Sequence, residues 1–136
     1  MDIETGQVEV EQIVAVHDIG QMVNPGGVRG QIEGGITMAL GNTLMEELLV
    51  DHGAILNTSL ESYLIPTSFD IPNIKVDVVE LSDPEGPLGA KGLGEPPTRI
   101  APAAIANAIT DAIGAPIAQM PVTPERVLKA IQAGSR

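Results

Sequence analysis

From Gln7 to Val16, apolar residues fall at Val8, Val10, Val14 and Val16. A two-residue period reads as a β-strand with one buried face, because successive side chains of an extended chain point to opposite sides. Asn24-Pro25-Gly26-Gly27 then breaks the chain. Val28, Ile32, Ile36, Leu40, Leu44 and Leu48 recur every fourth residue, which predicts a long amphipathic helix over about 27 to 49. Asp51-His52-Gly53 reads as a turn. Ile74, Val76 and Val78 alternate with Lys75 and Asp77 and predict a second strand, to about Leu81. Ser82 to Pro97 is a long loop dense in glycine and proline. Thr98 to Ile113 reads as a helix with an Ile105, Ile109, Ile113 stripe, and Gly114 is a natural left-handed stop. Thr123-Pro124-Glu125 starts a last short helix, with Val127, Leu128 and Ile131 inward.

The order β-α-β-α-α predicts an α+β fold, a small mixed sheet covered by helices, in one domain over residues 1–136. Two strands make an uncomfortable sheet on their own. Further strands are expected from the stretch Ile55 to Ile65, or from another chain or segment. The four glycines Gly30, Gly34, Gly35 and Gly41 cost helix propensity and leave part of the long helix nearly bare. Close packing by another backbone or a ligand is expected there, packing being the commoner case.

Composition removes several function classes. Aromatic residues are 1% of the chain, Tyr63 and Phe69, so the core must be built of Ile, Val, Leu, Met and Ala. Ring-based recognition of bases or sugars is not expected. A net charge of −11 repels phosphate backbones, which argues against nucleic acid as a partner. The absence of cysteine excludes disulfides, thiolate zinc sites and iron–sulfur ligation by this chain. No apolar run approaches a membrane span of about 20 residues. The first residues lack a basic stretch followed by an apolar one. A cytoplasmic protein without membrane contact is the expectation.

The segment with the most unusual chemistry is Gly89-Ala90-Lys91-Gly92-Leu93-Gly94-Glu95-Pro96-Pro97. Its glycines allow close approach of backbone to a ligand. Two prolines after Glu95 pin the carboxylate, and Pro96 is expected to push Glu95 away from helical dihedrals. A carboxylate on such a mount suits a general base, tuned by burial. The competing reading is a plain loop whose glutamate caps the next helix. Lys91 reads equally as a ligand contact or as a solvated lysine. The spacing is neither that of a dinucleotide fingerprint nor that of a phosphate-binding loop ending in Lys-Ser/Thr. A second candidate is Gly30-Gln31-Ile32-Glu33-Gly34-Gly35 near the helix start, where free N–H groups bind anions and Gln31 offers both donor and acceptor. The alternative there is tight helix packing, with Glu33 complementing the helix dipole. His17 and Asp18 are adjacent on a strand and should face opposite ways, so they do not read as a catalytic pair. His52 reads as an exposed turn residue.

The ordered set His17-Asp18-Ile19-Gly20, Asn24-Pro25, Gly30-Gln31-Ile32-Glu33-Gly34-Gly35, Tyr63-Leu64-Ile65-Pro66, Lys91-Gly92-Leu93-Gly94-Glu95-Pro96-Pro97 and Thr123-Pro124-Glu125-Arg126-Val127 resembles the xanthine dehydrogenase/aldehyde oxidase family. The likeness is to the C-terminal part of its molybdenum-binding subunit, and it runs over nearly the whole chain. It implies a molybdenum hydroxylase acting on an N-heterocycle or aldehyde with oxygen drawn from water. Glu95 would be the catalytic base, and Gln31, Gly30, Gly34, Leu93 and Gly94 would lie against the cofactor. That cofactor would be molybdenum–molybdopterin, in its cytosine dinucleotide form, shared with other segments. The remainder of the molybdenum subunit, and FAD and 2Fe-2S carried on partner subunits or domains, would complete the enzyme. A complete molybdenum subunit is several times longer, so this chain is not expected to turn over substrate alone. The alternative is a docking or assembly domain of the same fold that binds no metal.

Overall fold

A computed structural model describes residues 1–134. Two parallel strands, β1 (Gln12–Asp18) and β4 (Asn73–Val79), form the main sheet in the register Gln12↔Asn73 to Asp18↔Val79. Helix α1 (Pro25–Leu44) follows β1. Strands β2 (Val50–Asp51) and β3 (Ala54–Ile55) make a separate minimal hairpin, turning through His52 and Gly53 at positive φ. Helices α2 (Pro96–Ile113) and α3 (Pro124–Gly134) complete the chain. The α+β class holds, with the hairpin as an addition. The segment Ile55 to Ile65 gives only the end of that hairpin and adds nothing to the main sheet.

The first strand departs from its expected face. Ile13, Ala15 and His17 point inward, while Val14 and Val16 are 62% and 53% exposed. Val8 and Val10 are half-buried, so the alternation changes phase near Glu11 and Gln12. A one-residue slip moves every following side chain to the other face. Pairing also begins only at Gln12, because β4 starts opposite it, with Asn73 N–H donating to the Glu11 carbonyl. The inner row beside Ile74, Val76 and Val78 packs on Ile32 and Ile36 of α1.

Helix α1 runs from Pro25 to Leu44, shorter than the apolar series suggests. Four-residue steps drift by about 40° around a helix with 3.6 residues per turn. Ile32, Ile36 and Leu40 are buried, Val28 and Leu44 only partly, and Leu48 lies exposed beyond the helix. The start is capped: the Asn24 side chain accepts from Gly27 N–H at 3.0 Å, with Pro25 in the first turn. Asn24→Ala should therefore cost this chain about 1 kcal/mol in denaturant unfolding, and an unchanged midpoint would show the cap to be idle.

Leu40 meets Ile105 and Ile109 of α2, and Val122 and Val127 around α3, in a second aliphatic cluster. Methionine, expected in the core, is absent from the buried apolar residues described. Helix α2 ends at Gly114, at φ 67°, as expected. Val127 is buried and Leu128 and Ile131 are half-buried on α3.

Candidate functional site

Glu95 stands at the head of α2. Its backbone takes φ −110° and ψ −15°, inside the helical region, against the expectation set by the following proline. The Glu95 carbonyl accepts from Thr98 N–H at 2.9 Å, and that first-turn bond outweighs the steric preference. The side chain makes no capping bond. Its Oε2 accepts from the Arg99 guanidinium at 3.1 Å, one turn on, with both side chains 78% exposed. Such a surface pair contributes little and leaves the carboxylate available. The burial expected around Glu95 is not provided by these residues.

Three contacts fix the loop that carries Glu95. Pro97 is fully buried against α1, where Gly35 lacks the Cβ that would strike its ring. Leu93 inserts its side chain beside Ala15, Ile32 and Ile36. Gln31 donates from Nε2 to the Gly94 carbonyl at 2.7 Å, tying α1 to the residue before Glu95. Its amide oxygen accepts no hydrogen bond among the described residues.

The other α1 glycines divide. Gly41 is packed, its missing Cβ making room for Pro66 and Glu46, and Tyr63 Oη donates to Glu46 at 2.8 Å nearby. Gly30 and Gly34 face open space, as do Gly92 and Gly94 across the loop. Because α1 begins at Pro25, Gly30 to Gly35 lie beyond its first turn, and their N–H groups are not the free ones of a helix start. Glu33 likewise misses the first turn and pairs with Arg29 at 2.7 Å.

A cavity of about 370 Å³ opens beside this junction, lined in part by Asn24, Gly27, Gln31, Lys91, Leu93 and Gly94. Lys91 is a partly exposed lysine held in an ion pair: its ammonium meets the Asp18 carboxylate at 2.5 Å. The Lys91 hydrogen bond, followed by the Gly20 N–H, holds the Asp18 carboxyl below its ordinary range. Its favourable effect is therefore present at neutral pH and lost as pH falls through the depressed folded value. His17 and Asp18 face opposite ways as expected, His17 buried at 8% exposure with no partner for Nε2. His52 is exposed, with Nδ1 2.7 Å from Asp51. Sequence reading missed the Asp18–Lys91 pair and the seating of Leu93 and Pro97, which depend on long-range packing.

Among the described residues no cluster of three His, Asp or Glu side chains could hold a metal ion, and no helix is long and apolar enough to cross a membrane. Residues 1–72 match the family model described as a molybdopterin cofactor-binding domain. A putative xanthine dehydrogenase molybdenum-binding subunit of Escherichia coli is 39% identical over 93% of this chain and 17% of its own length. The structure of quinoline 2-oxidoreductase from Pseudomonas putida 86 superposes with a TM-score of 0.86 at 42% identity, over 91% of this chain and 16% of that one. Aldehyde oxidoreductase from Desulfovibrio gigas gives a TM-score of 0.87 at 35% identity, over 96% and 14%. The chain thus spans about a sixth of the length of the proteins it matches. With Gln31 of α1 tied to the residue before Glu95, and with these matches in sequence and fold, the chain belongs to the molybdopterin cofactor-binding domain family of the molybdenum hydroxylases.

Proposed function

We propose that this chain forms one wall of a molybdenum hydroxylase site, in which Glu95 is the catalytic base acting on an N-heterocycle or aldehyde. The observation that carries the reading is the Gln31–Gly94 hydrogen bond, which sets the Glu95 loop against a bare glycine face of α1. The fit to a large flat cofactor follows from that face. At Gly30, Gly34, Gly92 and Gly94 a Cβ would meet nothing within 4 Å, so a planar group can approach backbone on both elements. The Gln31 amide oxygen is available to accept from a ring N–H. Among the described residues no ligand cluster is present, which agrees with a metal carried by its cofactor rather than held by these side chains. When bound, molybdenum–molybdopterin supplies the two-electron oxidising centre. The chain's own task is to place Glu95, whose carboxylate takes up a proton during hydroxylation by water.

The same reading assigns most of the cofactor's contacts, the substrate pocket and the exclusion of water to the remainder of the molybdenum subunit. The exposure of Glu95 supports this division, since a closed site around its carboxylate has to come from other segments. In this reading FAD and the iron–sulfur centres belong to partner subunits or domains, which agrees with the lack of cysteine ligands in this chain. The chain by itself is accordingly inactive. The nucleotide released by acid hydrolysis of the cofactor, cytidine monophosphate in this reading, identifies its dinucleotide form.

Gly34→Val in the assembled subunit tests the site. Among the described residues nothing lies within 4 Å of a Cβ added there, so the chain should fold normally. Bound molybdenum, measured per subunit by elemental analysis, should fall at least about tenfold if the cofactor occupies that space, since even small overpacking of a fitted site is costly. Full molybdenum content in this variant would overturn the placement and favour a docking domain that binds no metal.

A further inference from the structure

We propose that Asp18 and Lys91 act as a latch that positions the Glu95 loop, so that both are positioning residues for the base. The inference rests on the reading of Glu95 as that base. Asp18 is the last residue of β1, and Lys91 lies 73 positions later, four residues before Glu95. Three chain segments converge on the Asp18 carboxylate. Its Oδ2 accepts from Lys91 Nζ at 2.5 Å. Its Oδ1 accepts from Gly20 N–H at 3.1 Å and, more weakly, from Leu81 N–H at 3.4 Å. The last of these comes from the chain just past β4, so one side chain joins both strand ends to the loop.

The backbone beneath the pair is already aligned. Lys91 N–H donates to the Ile19 carbonyl and Gln21 N–H to the Gly89 carbonyl, both at 2.8 Å, around a bridge between Gly20 and Ala90. Gly20 sits at φ 64°, and a Cβ there would strike the Gly89 carbonyl. Only glycine therefore permits this seat. The loop is thus gripped at Lys91 from β1 and at Gly94 by Gln31 from α1, with Leu93 plugged into the core between them. Glu95 follows directly on this doubly held span. Both partners are about one-third exposed, so the pair acts by geometry rather than by strong binding energy.

The alternative role for Lys91, direct contact with a bound anion, predicts different kinetics. The test uses Lys91→Met, Asp18→Asn and the double variant in the assembled enzyme, with Lys91→Arg as the conservative control. A latch predicts that each single variant lowers kcat by about tenfold, since small misplacements of a catalytic group are costly. KM and molybdenum content should stay unchanged, the double variant should be no worse than either single one, and Lys91→Arg should recover most of the rate. Amide hydrogen exchange at Lys91 to Gly94 should quicken in both single variants whether or not Glu95 is the base. That readout separates failure of the latch from failure of the Glu95 assignment. A raised KM or lost molybdenum in Lys91→Met alone, with Asp18→Asn behaving as wild type, would overturn the latch in favour of ligand contact. Unchanged exchange in both variants would overturn it outright.

Discussion

Glu95→Gln in the assembled enzyme should lower kcat by about 10²-fold or more, the usual cost of removing a general base, while bound molybdenum stays at its normal level. The substitution keeps size and shape and removes the charge, and with it the ability to take up a proton and the ion pair with Arg99. The surroundings of Glu95 make the result interpretable. Its side chain caps nothing, is mostly exposed in this chain, and among the described residues hydrogen-bonds only to Arg99. Loss of an exposed pair of that kind costs at most about 1 kcal/mol, so a large kinetic effect cannot be charged to unfolding. Loss of turnover with the metal retained separates the chemical step from cofactor binding. Turnover near normal with molybdenum in place would show that some other group is the base.

The helices were legible in the sequence because their information is local. Ile32, Ile36 and Leu40 repeat at helical spacing, Asn24-Pro25 marks the start of α1, and Gly114 marks the end of α2. The strands were legible as elements but not in orientation. Val14 and Val16 look like a buried row beside Val8 and Val10, yet the phase change at Glu11 and Gln12 turns them outward. The consecutive polar pair Glu11-Gln12 is the only local mark of that change, and the start of pairing with Asn73 of β4 lies far along the chain. Helix α1 taught a similar lesson. Its glycines are alike in sequence, but Gly35 and Gly41 receive packed neighbours while Gly30 and Gly34 face open space. Which role each plays depends on the segments of Pro97 and Pro66, far along the chain.

The candidate site was legible as a motif before its geometry was. Gly94-Glu95-Pro96-Pro97 announces a rigidly mounted carboxylate, and the structure supplies the mount in Pro97 and Gly35. The dihedrals of Glu95 went the other way from the local rule, because the helix needed its carbonyl for the first-turn bond to Thr98. Gln31 was legible as a polar group suited to a ring edge. One of its N–H groups is instead engaged by the Gly94 carbonyl, which makes it a tie between two elements and leaves its amide oxygen and second N–H for a ligand. The Asp18–Lys91 pair joins positions 73 residues apart and leaves no local trace.

If the mount rather than overall stability sets activity, two core substitutions should separate the two properties. Leu40 is buried in the cluster that joins α1 to Ile105, Ile109, Val122 and Val127. Leu40→Ala should cost about 2–5 kcal/mol, from lost transfer energy and the cavity left behind. It lies away from the contacts that seat Glu95, so kcat measured well below the melting temperature should change little. Gly35→Val acts at the opposite place. A Cβ there would lie 2.7 Å from Pro97 Cβ and 3.3 Å from Thr98 N. Neither the buried proline ring nor the backbone can swing aside as a flexible side chain could. Overpacking should cost about 1–3 kcal/mol, less than Leu40→Ala. Yet it pushes directly on the first turn of α2, and a shift of the base by a fraction of an ångström should lower kcat at least about tenfold. Unfolding midpoints and kcat of the two variants in the assembled enzyme check the order. Should the more destabilised variant also be the slower one, activity would follow stability, and the Gly35–Pro97 contact would have no special part in placing Glu95.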